Sequence, residues 1–207
     1  MTILQTTPFE VHRSVLPFVL TDRGLTGSGV EVGVEKGYFS EHILKHWTGF
    51  LYLVDPYEKY AAYAEEYAHE ENYDRMLKAL SGFRDRYKHL KMYSKDACHE
   101  FVDNSLDFVY LDANHSYESV KEDLECWWPK VKPGGLFAGD DYGAFPDMPV
   151  DFGHGRLNFS VKRAVDEWAM KNKRNISIDW FADWDVRAMS SGGEELEFRA
   201  RNWWLIK

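Results

Sequence analysis

The sequence predicts an α/β fold: a doubly wound, mostly parallel sheet with an antiparallel strand pair at the C-terminal end. Three observations predict it. Short apolar runs rich in β-branched and aromatic residues recur at residues 29–34, 50–54 and 106–111. Segments with apolar residues at helical spacing separate them. Each run ends abruptly in glycine or aspartate, residues that close a strand and open a turn. Strands alternating with helices imply parallel pairing, with helices on both faces of the sheet.

The elements follow in order. Residues 1–12 carry no periodicity and read as a loose arm, and a short helix covers about 13–21. The run 29–34, Gly-Val-Glu-Val-Gly-Val, is a strand. The helix after it, 38–47, places Phe39, Ile43, Leu44 and Trp47 on one face. Residues 50–54 form a second strand closed by Asp55-Pro56, since proline ends pairing. Two helical stretches, about 58–70 and 72–87, precede a short strand near 90–93 and a helical turn around 97–101. Residues 106–111 are the clearest strand. Residues 117–128 are a helix whose Val120, Leu124, Trp127 and Trp128 make one face. Lys132-Pro133-Gly134-Gly135 is a turn, and 136–138 a strand. An irregular stretch of about eighteen residues leads to an amphipathic helix at 161–171, and 176–181 pairs with 202–207. At 207 residues the chain reads as one domain, residues 1–207, with one site.

Composition narrows the partners. A net charge of −9 disfavours nucleic acid, whose phosphates are held by clustered Lys and Arg. A small or neutral substrate fits better, and a homo-oligomer is compatible. Two cysteines, Cys98 and Cys126, make neither a disulfide framework nor a zinc site, so buried thiols in a reducing, cytoplasmic setting are expected. The apolar patch at 15–20 is short, interrupted by Pro17 and followed by Asp22 and Arg23, which argues against a membrane span or a secretory signal.

In open α/β sheets ligands bind beyond the carboxyl ends of the strands. After the first strand comes Glu31-Val-Gly33-Val-Glu35-Lys-Gly37, with Ser40 in the helix that follows. Glycines there let the backbone turn sharply, and the helix start offers N–H groups to a carboxylate. The spacing is not the G-x-G-x-x-G of dinucleotide sites, which disfavours an NAD-dependent oxidoreductase. Asp55 stands twenty-two residues beyond Gly33, where Rossmann-type folds accept hydrogen bonds from ribose hydroxyls. The plainer alternative makes Gly33 and Gly37 turn residues and Asp55 a helix cap.

The strings VEVGVEKGYFSEHIL, LYLVDPYE and LDFVYLDANHSYESVKEDLECWWPKVKPGGLFAGDDY, across residues 29–142, resemble class I S-adenosylmethionine-dependent methyltransferases. Similarity is closest to small catechol-type O-methyltransferases and to the macrocin and mycinose-pathway sugar O-methyltransferases. The tail, VKRAVDEW followed by NWWLIK, resembles the same group. The resemblance implies a Rossmann-like fold and S-adenosylmethionine held by Glu31, Gly33, Glu35, Gly37, Ser40, Asp55 and Asp112. It further implies that Ser94, Asp96 and Ala97 flank the adenine.

The fourth strand ends in Asp112-Ala-Asn-His115 and the fifth in Asp140-Asp141. Three acids at one rim raise each other's pKa unless a cation intervenes. Oxygen ligands suit Mg²⁺, Mn²⁺ or Ca²⁺, and such a cation orients a hydroxyl and lowers its pKa. Asp112, Asp140 and Asp141 are therefore the candidate metal ligands, and Asp112 and His115 the candidate catalytic residues. His115, three residues past Asp112, is placed to receive the hydroxyl proton. In the resembling sugar-modifying enzymes a histidine occupies that offset. The plainer readings are a loop histidine ahead of the helix and a polar turn at 140–141. Many relatives have Gly-His-Asp-Tyr where this chain has Gly139-Asp140-Asp141-Tyr142, and not all relatives use a metal.

Two segments are candidates for the acceptor. Tyr57, Tyr60, Tyr63 and Tyr67 form an aromatic stripe, which is more often core. Residues 143–160 form a long loop beside the acid-bearing strand end, with Phe145 and Phe152 to stack on a sugar. Asp147, Asp151, His154 or Arg156 could bond its hydroxyls, with Tyr142 at the loop's base. The expected activity is methylation of a hydroxyl on a sugar or another small molecule. The rivals are a metal-independent methyltransferase and a non-catalytic S-adenosylmethionine-binding protein.

Overall fold

A computed structural model describes residues 13–58, 69–142, 149–151, 156–158, 160–178, 185–189, 195–199 and 201–207. The expected arm, residues 1–12, lies outside them. A 3-10 turn at Arg13–Val15 leads into α1 (Leu16–Asp22), where Pro17 sits in the first helical turn and needs no amide partner. The chain continues through β1 (Ser28–Val32), α2 (Tyr38–His46), β2 (Phe50–Val54), α3 (His69–Ala79) and β3 (Tyr87–Leu90). Next come α4 (Ser94–Ala97), β4 (Leu106–Leu111), α5 (Tyr117–Trp127) and β5 (Val131–Gly139). After these lie β6 (Pro149–Asp151), β7 (Arg156–Asn158), α6 (Val161–Lys171), β8 (Ser177–Ile178), β9 (Asp185–Met189), β10 (Glu195–Arg199) and β11 (Trp203–Ile206).

The main sheet has seven strands in the order β3-β2-β1-β4-β5-β11-β8. β1 to β5 are parallel, and β11 runs antiparallel to both β5 and β8, the expected C-terminal pair. The chain starts at the centre, winds out to β3 and returns to β4, so the strand order switches between β1 and β4. Register makes this switch useful. Val32 pairs with both Val54 and Leu111, and Leu111 with Gly139. The residues that follow, Gly33, Asp55, Asp112 and Asp140, therefore emerge side by side along one edge.

Alternation along the strands divides the core. Val30, Val32, Val109, Leu111 and Phe137 face α5 and α6, packing on Leu124, Trp127, Val165 and Trp168. Leu51, Leu53, Phe108, Tyr110 and Leu136 face the other way, onto Leu16, Leu20, Ile43, Leu44 and Trp47 of α1, α2 and its cap. All six residues of β4 are buried, Asp107 among them, as befits a central parallel strand covered on both faces.

Several expectations are corrected. The helix expected over 72–87 ends at Ala79, and a 3-10 turn at Ser81–Phe83 follows. The third strand is 87–90 rather than 90–93, because Tyr-Lys-His-Leu forms a half-exposed edge and carries little apolar signal. β5 begins at Val131, so the Pro133-Gly134-Gly135 segment runs inside a strand, with an irregularity in its pairing between Leu106 and Phe108. The loop after Tyr142 contains β6 and β7, which join β9 and β10 in a second sheet of order β10-β9-β6-β7. Cys98 and Cys126, expected as separate buried thiols, are joined in a disulfide with Cα atoms 6.1 Å apart. Among the described residues, no helix is long and apolar enough to cross a membrane.

Candidate active site

The turn after β1 is fixed by backbone constraints. Gly33 has φ +88°, and a Cβ there would lie 1.9 Å from the carbonyl oxygen of Asp112. Only glycine permits the β1 and β4 ends to approach this closely. Asp55 secures the same turn: its Oδ2 accepts the amides of Val34 and Glu35 at 3.0 and 3.1 Å, and its Oδ1 accepts that of Tyr57 at 2.9 Å. The Tyr57 hydroxyl donates to the carbonyl of Glu35 at 2.7 Å. Glu35 and Tyr57 both hold left-handed backbone, at φ 50° and 47°. Such strain persists only where surrounding bonds over-determine it. A carboxylate has about four acceptor positions, so about one remains on Asp55 for a ribose hydroxyl.

Beyond this turn lies a cavity of about 840 Å³, within the range of cofactor sites and large enough for a small acceptor as well. Its walls include Glu31, Gly33, Glu35, Asp55 and Ser94 of the expected cofactor set. Asp112, His115, Asp140 and Asp141 complete the other end. Gly37, Ser40, Asp96 and Ala97 stand off the wall. Gly37 caps α2 with φ 73°, and Ala97 is core. Ser40 acts through Glu31, donating to its Oε2 at 2.5 Å. Burial pushes the Glu31 carboxyl up to about 8, so it holds its proton at neutral pH until a cationic ammonium in the cavity draws that pKa back down.

The acids at the far end divide into two groups. His115 Nε2 lies 3.0 Å from Asp141 Oδ2 and 3.5 Å from Asp112 Oδ1. One ligand atom from each of Asp112, His115 and Asp141 falls within 4.8 Å of the others, a set that could hold a cation. Asp141 reaches inward from a left-handed backbone, φ 58°, which aspartate tolerates better than most residues. Asp140 is buried and lines the same cavity, with both of its carboxylate oxygens engaged by the protein. Its Oδ1 accepts the Asp141 amide at 2.8 Å, and its Oδ2 takes the guanidinium of Arg13 at 2.9 Å. Burial, followed by the charges of Asp112 and Asp141, raises its pKa well above the usual carboxylate range. Burial also works against a charged His115, but Asp141 and Asp112 outweigh it and lift its pKa to about 9. The imidazole therefore carries its proton at neutral pH in this arrangement.

The substrate candidates fare differently. Tyr142 is buried and donates to Asp166 Oδ1 of α6 at 2.7 Å, so it supports α6 and stays off the cavity wall. His154 lies outside the described residues, as do Tyr60, Tyr63 and Tyr67. Arg156 begins β7 in the second sheet. Tyr57 is core.

Among the wall residues that went unanticipated, Arg13 and Asp123 carry charge into the site. Arg13 enters from the 3-10 turn before α1, with its guanidinium 5.3 Å from the Phe39 ring centroid; no local pattern marks it. Asp123 is buried on α5 and lines the cavity. Its signal was present, since with Val120, Leu124 and Trp127 it falls on the apolar stripe, where an unpaired acid is costly.

A glycine turn after the first strand, an acid after the second, and acids with a histidine after the fourth and fifth define a cofactor-dependent transferase built on a doubly wound sheet. Residues 30–142, more than half of the chain, match the family described as "Methyltransferase domain". The chain belongs to that family and is a class I, S-adenosylmethionine-dependent methyltransferase. No curated protein matches it in sequence. Among solved structures, it is similar to an O-methyltransferase from Bacillus cereus in complex with SAH. The two are 13% identical with a TM-score of 0.60, over 100% of this chain and 84% of that one. It is also similar to the O-methyltransferase TomG from Streptomyces achromogenes, involved in tomaymycin synthesis, in complex with SAM. That likeness is 15% identical with a TM-score of 0.59, over 94% and 79% of the two chains. A precorrin 8W decarboxylase from Methanobacterium thermoautotrophicum is similar at 15% identity and TM-score 0.58, over 97% and 91%. At such identities the likeness is one of fold, and a fold hosts many chemistries.

Proposed function

We propose that this methyltransferase acts on a hydroxyl of a sugar or a comparable small molecule, with a divalent cation at Asp112 and Asp141. The observation that carries the reading is the single cavity whose walls run from Gly33 and Asp55 to Asp112, His115 and Asp141. Two similar folds named as O-methyltransferases support oxygen as the acceptor atom. The acidic net charge supports a small acceptor over a nucleic acid. The sugar is supported by the resemblance of LDFVYLDANHSYE and its His115 offset to sugar-modifying enzymes.

In the transfer, the acceptor oxygen forms a bond to the methyl carbon as the carbon–sulfur bond breaks and its electron pair neutralises the sulfonium. The protein's part is alignment and proton management, and orientation alone can recover roughly 7–11 kcal/mol of such a barrier. Asp55 and the Gly33 turn fix the cofactor end, while Glu31 offers a buried carboxylate to the ammonium. The hydroxyl proton has Nε2 of His115 and the oxygens of Asp112 and Asp141 within one corner. His115 can receive that proton only after losing the one its carboxylate neighbours hold on it. Asp112 and Asp141, with Asp140 beside them, suit a hard cation. When bound there, such a cation supplies positive charge that relieves the carboxylates and lowers the pKa of the acceptor hydroxyl.

A second reading has an observation of its own. The Arg13 guanidinium already neutralises Asp140 and approaches Asp112 at 3.5 Å, which favours a metal-independent transferase. A methyl-transfer screen separates the two, using rhamnose-type glycosides, macrolide sugars, catechols and small amines, with Mg²⁺ or Mn²⁺ and with chelator. The metal reading expects methyl ethers only with added cation. Transfer unaffected by chelator and by Asp141→Ala would end it, and transfer to nitrogen acceptors alone would end the hydroxyl reading.

A further inference from the structure

At the end of the cavity away from the acids, one hydroxyl has its polarity set by its neighbours. Ser94 opens α4, just after β3, whereas Asp140 and Asp141 follow β5, with three strands between the two. Its Oγ donates its hydrogen to Asp123 Oδ1 and accepts the indole N–H of Trp127 at 2.8 Å. Both partners come from α5, and Asp123 is only 6% exposed.

A hydroxyl has one hydrogen and two lone pairs. With Asp123 ionised, the hydrogen of Ser94 is committed to a carboxylate and one lone pair to an indole. A single lone pair is left to face the cavity, so Ser94 can accept from a ligand and cannot donate to it. The position of this acceptor along the cofactor follows from the site already described, and the argument rests on that reading of the cavity. The sulfonium must face the acids and the ribose Asp55, which leaves the purine to the Ser94 end. The 6-amino group of adenine donates; the 6-oxo group of hypoxanthine accepts and would meet a lone pair.

We propose that Asp123 is a positioning residue that fixes Ser94 as a hydrogen-bond acceptor, making the cavity selective for a 6-amino-purine over a 6-oxo-purine. It acts through Ser94 and need not touch the ligand. Trp127 holds the second lone pair and prevents the hydroxyl from accepting two bonds from the ligand side.

The test compares S-adenosylhomocysteine with S-inosylhomocysteine, which differ at the purine 6-position and its adjoining ring proton. Each is titrated calorimetrically at pH 8 into the full chain. The wild type is expected to prefer the adenosyl compound by at least about tenfold. Asp123→Leu removes the acceptor, frees the hydroxyl to turn its hydrogen into the cavity, and is expected to erase most of that preference. Asp123→Asn keeps an acceptor oxygen and should retain it. Ser94→Ala removes the cavity-facing lone pair and should lower the same ratio, which decides the matter if Asp123→Leu does not fold. A purely structural role would weaken both ligands by the same factor. A ratio near one in the wild type, or an unchanged ratio in Asp123→Leu or Ser94→Ala, overturns the proposal while leaving the cofactor assignment intact. A wild type that binds neither compound overturns both.

Discussion

Nη1 of Arg13 lies 2.9 Å from Oδ2 of Asp140 and 3.5 Å from Oδ2 of Asp112. A tethered cation thus stands at the corner where a free cation is proposed to bind, and the two share a ligand. Two like charges a few ångströms apart at a half-buried site repel by up to about 4 kcal/mol. Arg13→Met is therefore expected to tighten Mn²⁺ binding by about tenfold, read from calorimetry or from the paramagnetic resonance of free Mn²⁺. Affinity that stays the same or falls would mean Arg13 and the cation do not compete.

Gly33→Ala is the sharpest probe of the cofactor turn. The added Cβ would meet the Asp112 carbonyl at 1.9 Å, and neither side of that contact is a flexible side chain. Relief requires separating the ends of β1 and β4, at a cost of more than about 3 kcal/mol. The expected result is a markedly lower melting temperature and no measurable S-adenosylhomocysteine binding. The same substitution at Gly24, where nothing lies within 4 Å but φ is +69°, should cost far less.

Stability should fall as pH rises. Burial lifts Glu31 from 4.5 to about 8 and Asp123 from 3.8 to about 7. The folded state binds these protons more tightly than the unfolded chain, so their contribution is fully present below about pH 4 and is lost as pH rises through 7 and 8. Urea unfolding between pH 5 and 8 should show this decline, and Glu31→Gln, which can still accept from Ser40, should flatten it. A slope untouched by Glu31→Gln would mean the buried carboxyl is not what titrates.

The Cys98–Cys126 disulfide closes a loop of 28 residues, a constraint worth about 3.5 kcal/mol in the chain-entropy account. For a chain of this size that is about 7–14 °C in melting temperature. Reduction, or Cys126→Ser, should lower the melting point by that order. An unchanged melt would mean that the bond contributes nothing to stability.

Much of this architecture could be read from the chain, and the exceptions have physical causes. β2, β4 and α6 matched their expected bounds: β2 is apolar throughout, β4 apolar but for Asp107 and α6 periodic, with clear stops at Asp55-Pro56 for β2 and Asp112 for β4. β3 slipped by three residues because an edge strand of Tyr-Lys-His-Leu buries little. β9 and β10 were missed although Asp-Val-Arg-Ala-Met and Glu-Leu-Glu-Phe-Arg alternate with the period of a strand. Their alternation is masked by high charge. The row Gly33, Asp55, Asp112 and Asp140 was legible because parallel register turns sequence position directly into spatial adjacency. Arg13 was not, since its partners are 99 and 127 residues away and no local pattern encodes such a pairing. The cysteine pair was misread because two thiols in a chain of this length give no composition signal.

The most direct test of the account is the position of S-adenosylhomocysteine in a crystal of its complex with the full chain. The account expects the ribose beside Asp55, the ammonium toward Glu31, and the sulfur facing Asp112, His115 and Asp141. A ligand bound in the same cavity with its sulfur directed toward Ser94 and its purine against the acids would contradict it.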